Sequence, residues 1–382
     1  MKSPEHFGKL ISHFSSNGKP KAPLCNVSFL LGAGFSKSWD ERFPTGDELF
    51  TIKYHEWCNS CRHLDSYLRT HGYDEIEDIS PDLFKQLIYQ LGMYKKYPSI
   101  RPRYIDDGNI EIVESEMRSL VHEKFKKTAP LYYFDEKKNK ISIPGKLSQE
   151  QQIIIDFFSQ LRREGDGSAG ISEGVRPHII TTNYDNIPEA ILDYDCGPDD
   201  SFLLYTYRGI TPSIVCGTGN PEAVHDNWLV NCLFKVNGGF EVYQHNNYFE
   251  LDYTKRSKAS IRLNPPQLML PSNEQDYTQT YFKALFPKTI RLLQESKILV
   301  IVGYSLPEED VLIRFIAKQF AEDRADGDNK FIFYVDLSDE KEQERKILSI
   351  FPHAEYGRGL SYFTYSGNFS KWAKKALQFL SS

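Results

Sequence analysis

The sequence is poor in the features that settle a protein's class quickly. Only six of its 382 residues are cysteine (Cys25, Cys58, Cys61, Cys196, Cys216 and Cys232), too few and too scattered for a disulfide scaffold. Cys58 and Cys61 form one CxxC pair and no second pair follows. A structural zinc takes four ligands, so the pair reads as small helix residues and no metal is expected. No run reaches the roughly 18 to 20 apolar residues of a membrane helix; the longest, around 297–303, is strand-sized. Residues 1–6 lack a basic-then-apolar leader. There is no GxxxxGK[ST], HExxH or HxE…PCxxC, which removes the P-loop, zincin and deaminase readings. Charge is nearly balanced, 46 basic against 52 acidic residues for a net −6, which argues against direct nucleic-acid contact. The expectation is a soluble, cytoplasmic, globular protein without membrane contact.

The chain does carry a regular alternation of apolar strand-sized runs and amphipathic helices. Residues 26–31 run into Gly32-Ala33-Gly34-Phe35-Ser36, a buried strand entering a glycine turn. From about 51 to 174 the pattern changes to charged and aromatic stretches broken by prolines. Helical spacing appears at Leu83, Leu87, Ile88 and Leu91 and across 151–161, and a glycine-rich linker over 165–174 closes the segment. Strand patterns return at 178–183 and 233–236. Beyond 280 the order is helix (280–295), strand (298–302), helix with Val311, Leu312, Phe315, Ile316 and Phe320 on one face, strand (331–335), helix (339–349), strand (360–365) and a final helix. This predicts an α/β fold: a Rossmann-like parallel sheet covered on both faces, in one domain over 1–382. Its core is 25–50 and 175–382, and about 51–174 is a helical insertion after the first strand.

Ligands of such sheets sit at the carboxyl ends of the strands. Three strands end in residues unsuited to packing: Gly32 to Ser36, Thr181-Thr182-Asn183-Tyr184-Asp185, and Gly303-Tyr304-Ser305. Glycine lets a backbone approach a diphosphate closely. The first loop is not GxGxxG, because its sixth position is Lys37. The ordered set of Gly32-Ala33-Gly34-Phe35-Ser36, Phe43-Pro44-Thr45-Gly46, Thr181 to Asp185, Lys235-Val236-Asn237-Gly238 and Gly303-Tyr304-Ser305-Leu306-Pro307 resembles the sirtuin-like family. It is most similar to the bacterial branch that consumes NAD in antiphage defence. The matching segments span about 25–50 and 175–340.

The resemblance implies a set of roles. Gly32, Ala33, Gly34 and Ser36 would wrap the NAD diphosphate, with Phe35 beside the nicotinamide ribose. Pro44 and Thr45 would shape the nicotinamide end, and Thr182 would belong to the cofactor-binding strand end. Asn183 matches the catalytic asparagine, and Asp185 stands at the acidic position two residues on, where it could stabilise an oxocarbenium ion. Gly303, Tyr304 and Ser305 would line the adenosine side, and Asp336 would take the adenosine ribose hydroxyls. In one departure, Asn237 stands where the family has histidine, and an amide cannot take a proton near neutral pH. His245 and His225 are the histidines near enough in sequence to substitute.

The resemblance therefore implies an NAD glycohydrolase with NAD as substrate and no metal. Its activity would be gated by homo-oligomerisation and by a protein partner, a DNA-translocase-type ATPase or a nucleotide-sensing protein, meeting the helical insertion. Asn237 motivates a second reading, a non-catalytic NAD or nucleotide-binding regulatory subunit. The third is a sirtuin-type protein deacylase, a branch whose four-cysteine zinc module has no counterpart in this sequence.

Overall fold

The apolar run Cys25–Leu31 forms β1, the centre of a six-stranded parallel sheet. The others are β2 (Val175–Thr181), β3 (Leu233–Lys235), β4 (Ile298–Val302), β5 (Lys330–Asp336) and β6 (Leu360–Ser366). Across the sheet the order is β6-β5-β4-β1-β2-β3. That is the doubly wound order of dinucleotide-binding folds, with the chain reversing direction between β1 and β4. The computed structural model describes residues 3–15, 24–73, 77–163, 174–194, 214–216, 232–272, 277–322, 329–355 and 359–380. Most of the glycine linker, Cys196, His225 and Trp228 lie outside them.

Alternation along β1 sends Phe29 to one face and Ser28 to the other. On the Phe29 side, helices α1 (Ser3–Phe14), α5 (Gln149–Arg163) and α10 (Phe369–Leu380) bring in Phe7, Phe157, Phe158 and Trp372. The Phe7 and Trp372 rings lie 4.8 Å apart, and those of Phe29 and Phe158 5.0 Å. On the other side, Ser28 Oγ meets Ser296 Oγ at 2.7 Å, just past α7 (Thr280–Glu295). Helices α8 (Val311–Glu322) and α9 (Glu340–Ile350) follow α7 in the last repeats of the α/β pattern. The expected face of α8 needs correction. Val311 and Phe315 are 69% and 50% exposed, while Ile313, Ile316, Ala317 and Phe320 are buried. Both stripes are apolar at helical spacing, so packing, not periodicity, chose between them.

The segment after β1 is helical, as its composition predicts. Ser80 caps α3 (Pro81–Lys96) by accepting from the Leu83 N–H, with Pro81 pre-set for the first turn. Asp106 caps α4 (Asp107–Thr128) in the same way through the Asn109 N–H. Helix α5, within the 51–174 span, instead packs on the sheet through Phe157 and Phe158. It is the crossover helix that a parallel β1-to-β2 connection needs.

Candidate functional site

Register brings the site together. Leu31 lies opposite both Val302 and Thr181, Thr181 opposite Lys235, and Val302 opposite Val335. Five strands therefore finish level, and the loops that follow them open on one edge. A cavity of about 530 Å³ lies there, beside the reversal point between β1 and β4. Helix α3 stands across it through Pro81, Asp82 and Lys85, and α4 through Phe125.

Of the residues expected at a ligand, Ala33, Gly34, Ser36, Pro44, Thr45, Thr182, Asn183, Asp185, Asn237, Gly303, Tyr304, Ser305 and Asp336 line this cavity. Phe35 does not. Its ring is fully buried, 5.5 Å from that of Phe369 and 6.5 Å from that of Phe158. Helix α2 (Ala33–Trp39) turns position 35 toward α5 and α10 and position 36 toward the strand ends. Gly32 sits under the site: its carbonyl accepts from Asn183, and its N–H donates to the Val302 carbonyl.

The packing of the two glycine loops explains their glycines. Gly34 N–H donates to the Gly303 carbonyl at 2.8 Å, and Gly303 has φ +55°. A Cβ on Gly32 would lie 2.5 Å from the Tyr304 Cα, and one on Gly303 would lie 2.5 Å from the Gly34 carbonyl carbon. The two loops interlock backbone to backbone, which admits no side chain.

Asn183 is held by its amide. Its Nδ2 donates to the Gly32 carbonyl and to Ser36 Oγ, each at 2.8 Å. A carbonyl can only accept, so this fixes the amide's orientation and leaves Oδ1 as its acceptor. Ser36 Oγ in turn donates to Asp185 Oδ2 at 2.7 Å, and Asp185 Oδ1 accepts the Ile187 N–H at 3.1 Å. Burial pushes the Asp185 carboxyl upward, against the hydrogen bond from Ser36. With both oxygens engaged, Asp185 holds Ser36 and Asn183 in place. Asn237 Nδ2 donates to the Thr182 carbonyl at 3.3 Å, and its Oδ1 is buried with no partner among the described residues. An orphaned acceptor in a cavity wall fits a ligand hydroxyl.

Beneath the Asn183 loop lies a charge cluster that sequence reading missed. Lys235, at the end of β3, is fully buried, and its Nζ lies 2.7 Å from Glu241 Oε2 and 3.2 Å from Oε1 of Glu189, on α6 (Ile187–Tyr194). It also donates to the Asp185 carbonyl at 2.7 Å and to Asn186 Oδ1 at 3.0 Å. Burial pushes both carboxyls up. Burial alone would lower the Lys235 ammonium, but the two glutamates outweigh it and hold the charge. A lysine within an apolar strand pattern was the available signal.

Lys85 was also missed. It is the one basic side chain among the described residues lining the cavity, against Asp47, Asp82, Asp185, Glu309, Asp310 and Asp336. Its Nζ lies 3.2 Å from Glu309 Oε1, an ion pair between α3 and the loop after β4. No histidine lines the cavity among the described residues. His245 is paired with Glu250 at 3.1 Å and stacked on Tyr248. Nor is any cluster of three or more His, Cys, Asp or Glu placed to hold a metal among the described residues.

No family profile and no curated protein matches the sequence. Solved structures similar in fold are Sir2 enzymes. One, from work on the mechanism and regulation of Sir2 enzymes, has TM-score 0.43 and 10% identity, covering 99% of this chain and 98% of that one. A Sir2 homologue mutant in complex with 2'-O-acetyl ADP ribose has TM-score 0.42 and 12% identity, with coverage of 99% and 98%. A Sir2 bound to a p53 peptide and NAD+ has TM-score 0.38 and 10% identity, with coverage of 94% and 93%. The class of this chain, an α/β protein of dinucleotide-binding architecture, follows from its own strand order and switch-point cavity.

Proposed function

We propose that the chain is an NAD glycohydrolase, splitting NAD and water into nicotinamide and ADP-ribose. The observation that carries this reading is the pair of carboxamides in the switch-point cavity: Asn183 locked through both N–H groups, and Asn237 with an unpartnered oxygen. Ser305 and Asp336 suit the adenosine end, with the interlocked Gly34 and Gly303 loops and Lys85 at the diphosphate. Asn183 and Asn237 suit the nicotinamide ribose and the attacking water. The bond from ribose C1' to the ring nitrogen breaks with its electron pair passing to the ring, so nicotinamide leaves neutral and needs no general acid. The oxocarbenium ion takes a water oxygen at C1', and the proton passes to solvent. A positioned acceptor such as Asn183 Oδ1 suffices to orient that water.

With no imidazole among the described lining residues, a non-hydrolysing NAD-binding regulatory subunit is the alternative. Purified protein incubated with NAD, with and without an acetyl-lysine peptide, separates the readings. Peptide-independent nicotinamide release supports the hydrolase. Calorimetric binding of NAD without release supports the regulatory subunit, and strict peptide dependence supports a deacylase. An unrestrained hydrolase would exhaust its host's NAD. The reading therefore includes gating, by self-assembly and a partner on the helical insertion, as an effector of antiphage defence.

A further inference from the structure

The Lys235 cluster buries more carboxyl groups than one ammonium balances. The side chains of Glu189, Glu241 and Lys235 are fully buried, and the Asp185 carboxyl is buried next to them. Tyr253 and Tyr281 interact with the same glutamates, with Asp193 of α6 beside Tyr253, and none of the three is a cation. The packing is closed: a Cβ on Gly239 would lie 2.4 Å from Glu241 Oε2 and 2.6 Å from Lys235 Cε. A buried carboxyl without a counter-charge takes up a proton instead.

The hydrogen bonds show which carboxyl is left over. An ammonium has three N–H donors, and five oxygens compete for those of Lys235. The Asp185 carbonyl and Glu241 Oε2 lie at 2.7 Å, Asn186 Oδ1 at 3.0 Å, Glu189 Oε1 at 3.2 Å and the Tyr184 carbonyl at 3.4 Å. The three shortest use the three donors: two hold the turn after Asn183, and one holds Glu241. Glu189 keeps a longer contact, and its Oε2 has no partner among the described residues. Glu241 Oε1 has none either, but Glu241 Oε2 already takes a short bond. Burial pushes the Glu189 carboxyl up against the pull of Lys235, and the Glu241 charge adds to the rise.

We propose that Glu189 is held as the neutral acid, and that this proton makes it a positioning residue for the Asn183 loop. Neutral, Glu189 makes a weak claim on Lys235, and two N–H donors stay on Asp185 and Asn186. When the acid loses its proton to solvent, a second carboxylate competes for the same three donors. The turn after Asn183 then loses its hold on Lys235. The proton and its effect on the loop stand without NAD; the effect on turnover rests on the hydrolase reading.

Infrared difference spectra of the full chain at neutral pH, parent minus Glu189→Gln, test this. The carbonyl stretch of a neutral carboxylic acid is expected in the parent and missing from the variant, and it should titrate away in alkaline solution. Hydrogen exchange over residues 182–187 should quicken in the parent as that band disappears, and stay slower in Glu189→Gln at the same pH. Nicotinamide release by the parent should show a one-proton alkaline limb, falling by up to about tenfold per pH unit, and Glu189→Gln should lack it. A packing role alone would lower the rate at every pH and leave the profile's shape as it is. If Glu189→Gln fails to fold, Glu241→Gln takes its place: with that competitor gone, Glu189 ionises against Lys235 and the band should vanish there too. A difference spectrum without the neutral-acid band overturns the proposal, and so does an alkaline limb retained in Glu189→Gln. If the parent releases no nicotinamide, the hydrolase reading fails, while the band and the exchange still decide the proton.

Discussion

Asn183 and Ser36 stand 147 residues apart in the chain and share a 2.8 Å hydrogen bond, Asn183 Nδ2 donating to Ser36 Oγ. Ser36 Oγ in turn donates a hydrogen bond to Asp185 Oδ2 at 2.7 Å. The serine thus fixes the amide from below and satisfies a buried carboxylate at the same time. Ser36→Ala should lower kcat for nicotinamide release by about 10- to 100-fold, because it loosens Asn183, the group proposed to position the water. KM should change little. The orphaned Asp185 oxygen should cost roughly 1–3 kcal/mol of stability. Steady-state kinetics and urea unfolding check the two effects separately.

Lys85 is the one basic side chain among the described residues lining a cavity otherwise rich in carboxylates, and on the proposed reading it would be the counter-charge for the NAD diphosphate. Lys85→Met should raise KM for NAD roughly tenfold, the order expected for one charge-assisted contact. Hydrolysis of nicotinamide riboside, which has no diphosphate, should be unchanged. Glu309→Gln releases Lys85 from its 3.2 Å ion pair and should lower KM for NAD. Initial rates with both substrates at fixed ionic strength read this out.

Lys235 stands between two buried glutamates under the Asn183 loop. Lys235→Met should destabilise the protein by about 3–5 kcal/mol, the cost of leaving a buried carboxylate without its partner. Adding Glu241→Gln to that variant should restore part of the loss, because the two positions are in contact and their effects do not add. Urea denaturation of the single and double variants measures both.

His178, on β2, accepts the Cys232 N–H at Nδ1, and its Nε2 lies 3.2 Å from Asn26 Oδ1. Burial, with a smaller push from Arg176, lowers its pKa to about 3. The unfolded chain takes up this proton near pH 6.5 and the folded one near 3. The stabilisation is therefore complete above pH 6.5 and is lost as the pH falls below it. By pH 4 the loss from this one group should reach roughly 3 kcal/mol. Melting curves from pH 7 to 4 should show the decline, and His178→Gln should flatten it.

Much of the sheet and site was legible because it is written locally. The run 26–31 into Gly32, the Thr181 to Asp185 strand end and the repeats beyond 280 each declare themselves within about ten residues. Their convergence follows from the parallel register that sets Leu31 level with Thr181 and Val302. What stayed hidden depends on distant partners. Lys85 reads as an ordinary exposed helix lysine until α3 is seen across the cavity from Glu309. Lys235, Glu189 and Glu241 become one cluster only when β3 lies beside β2. Phe35, inside the most informative motif, is taken by the aromatic core because the turn into α2 points it there.

The most direct test of the central claim is nicotinamide release from NAD, measured by chromatography on the parent and on Asn183→Ala under identical conditions. The account predicts release by the parent and a loss of about 100-fold or more in the variant, as for removal of a positioning group at the reacting centre. Release by Asn183→Ala at the parent's rate would contradict it.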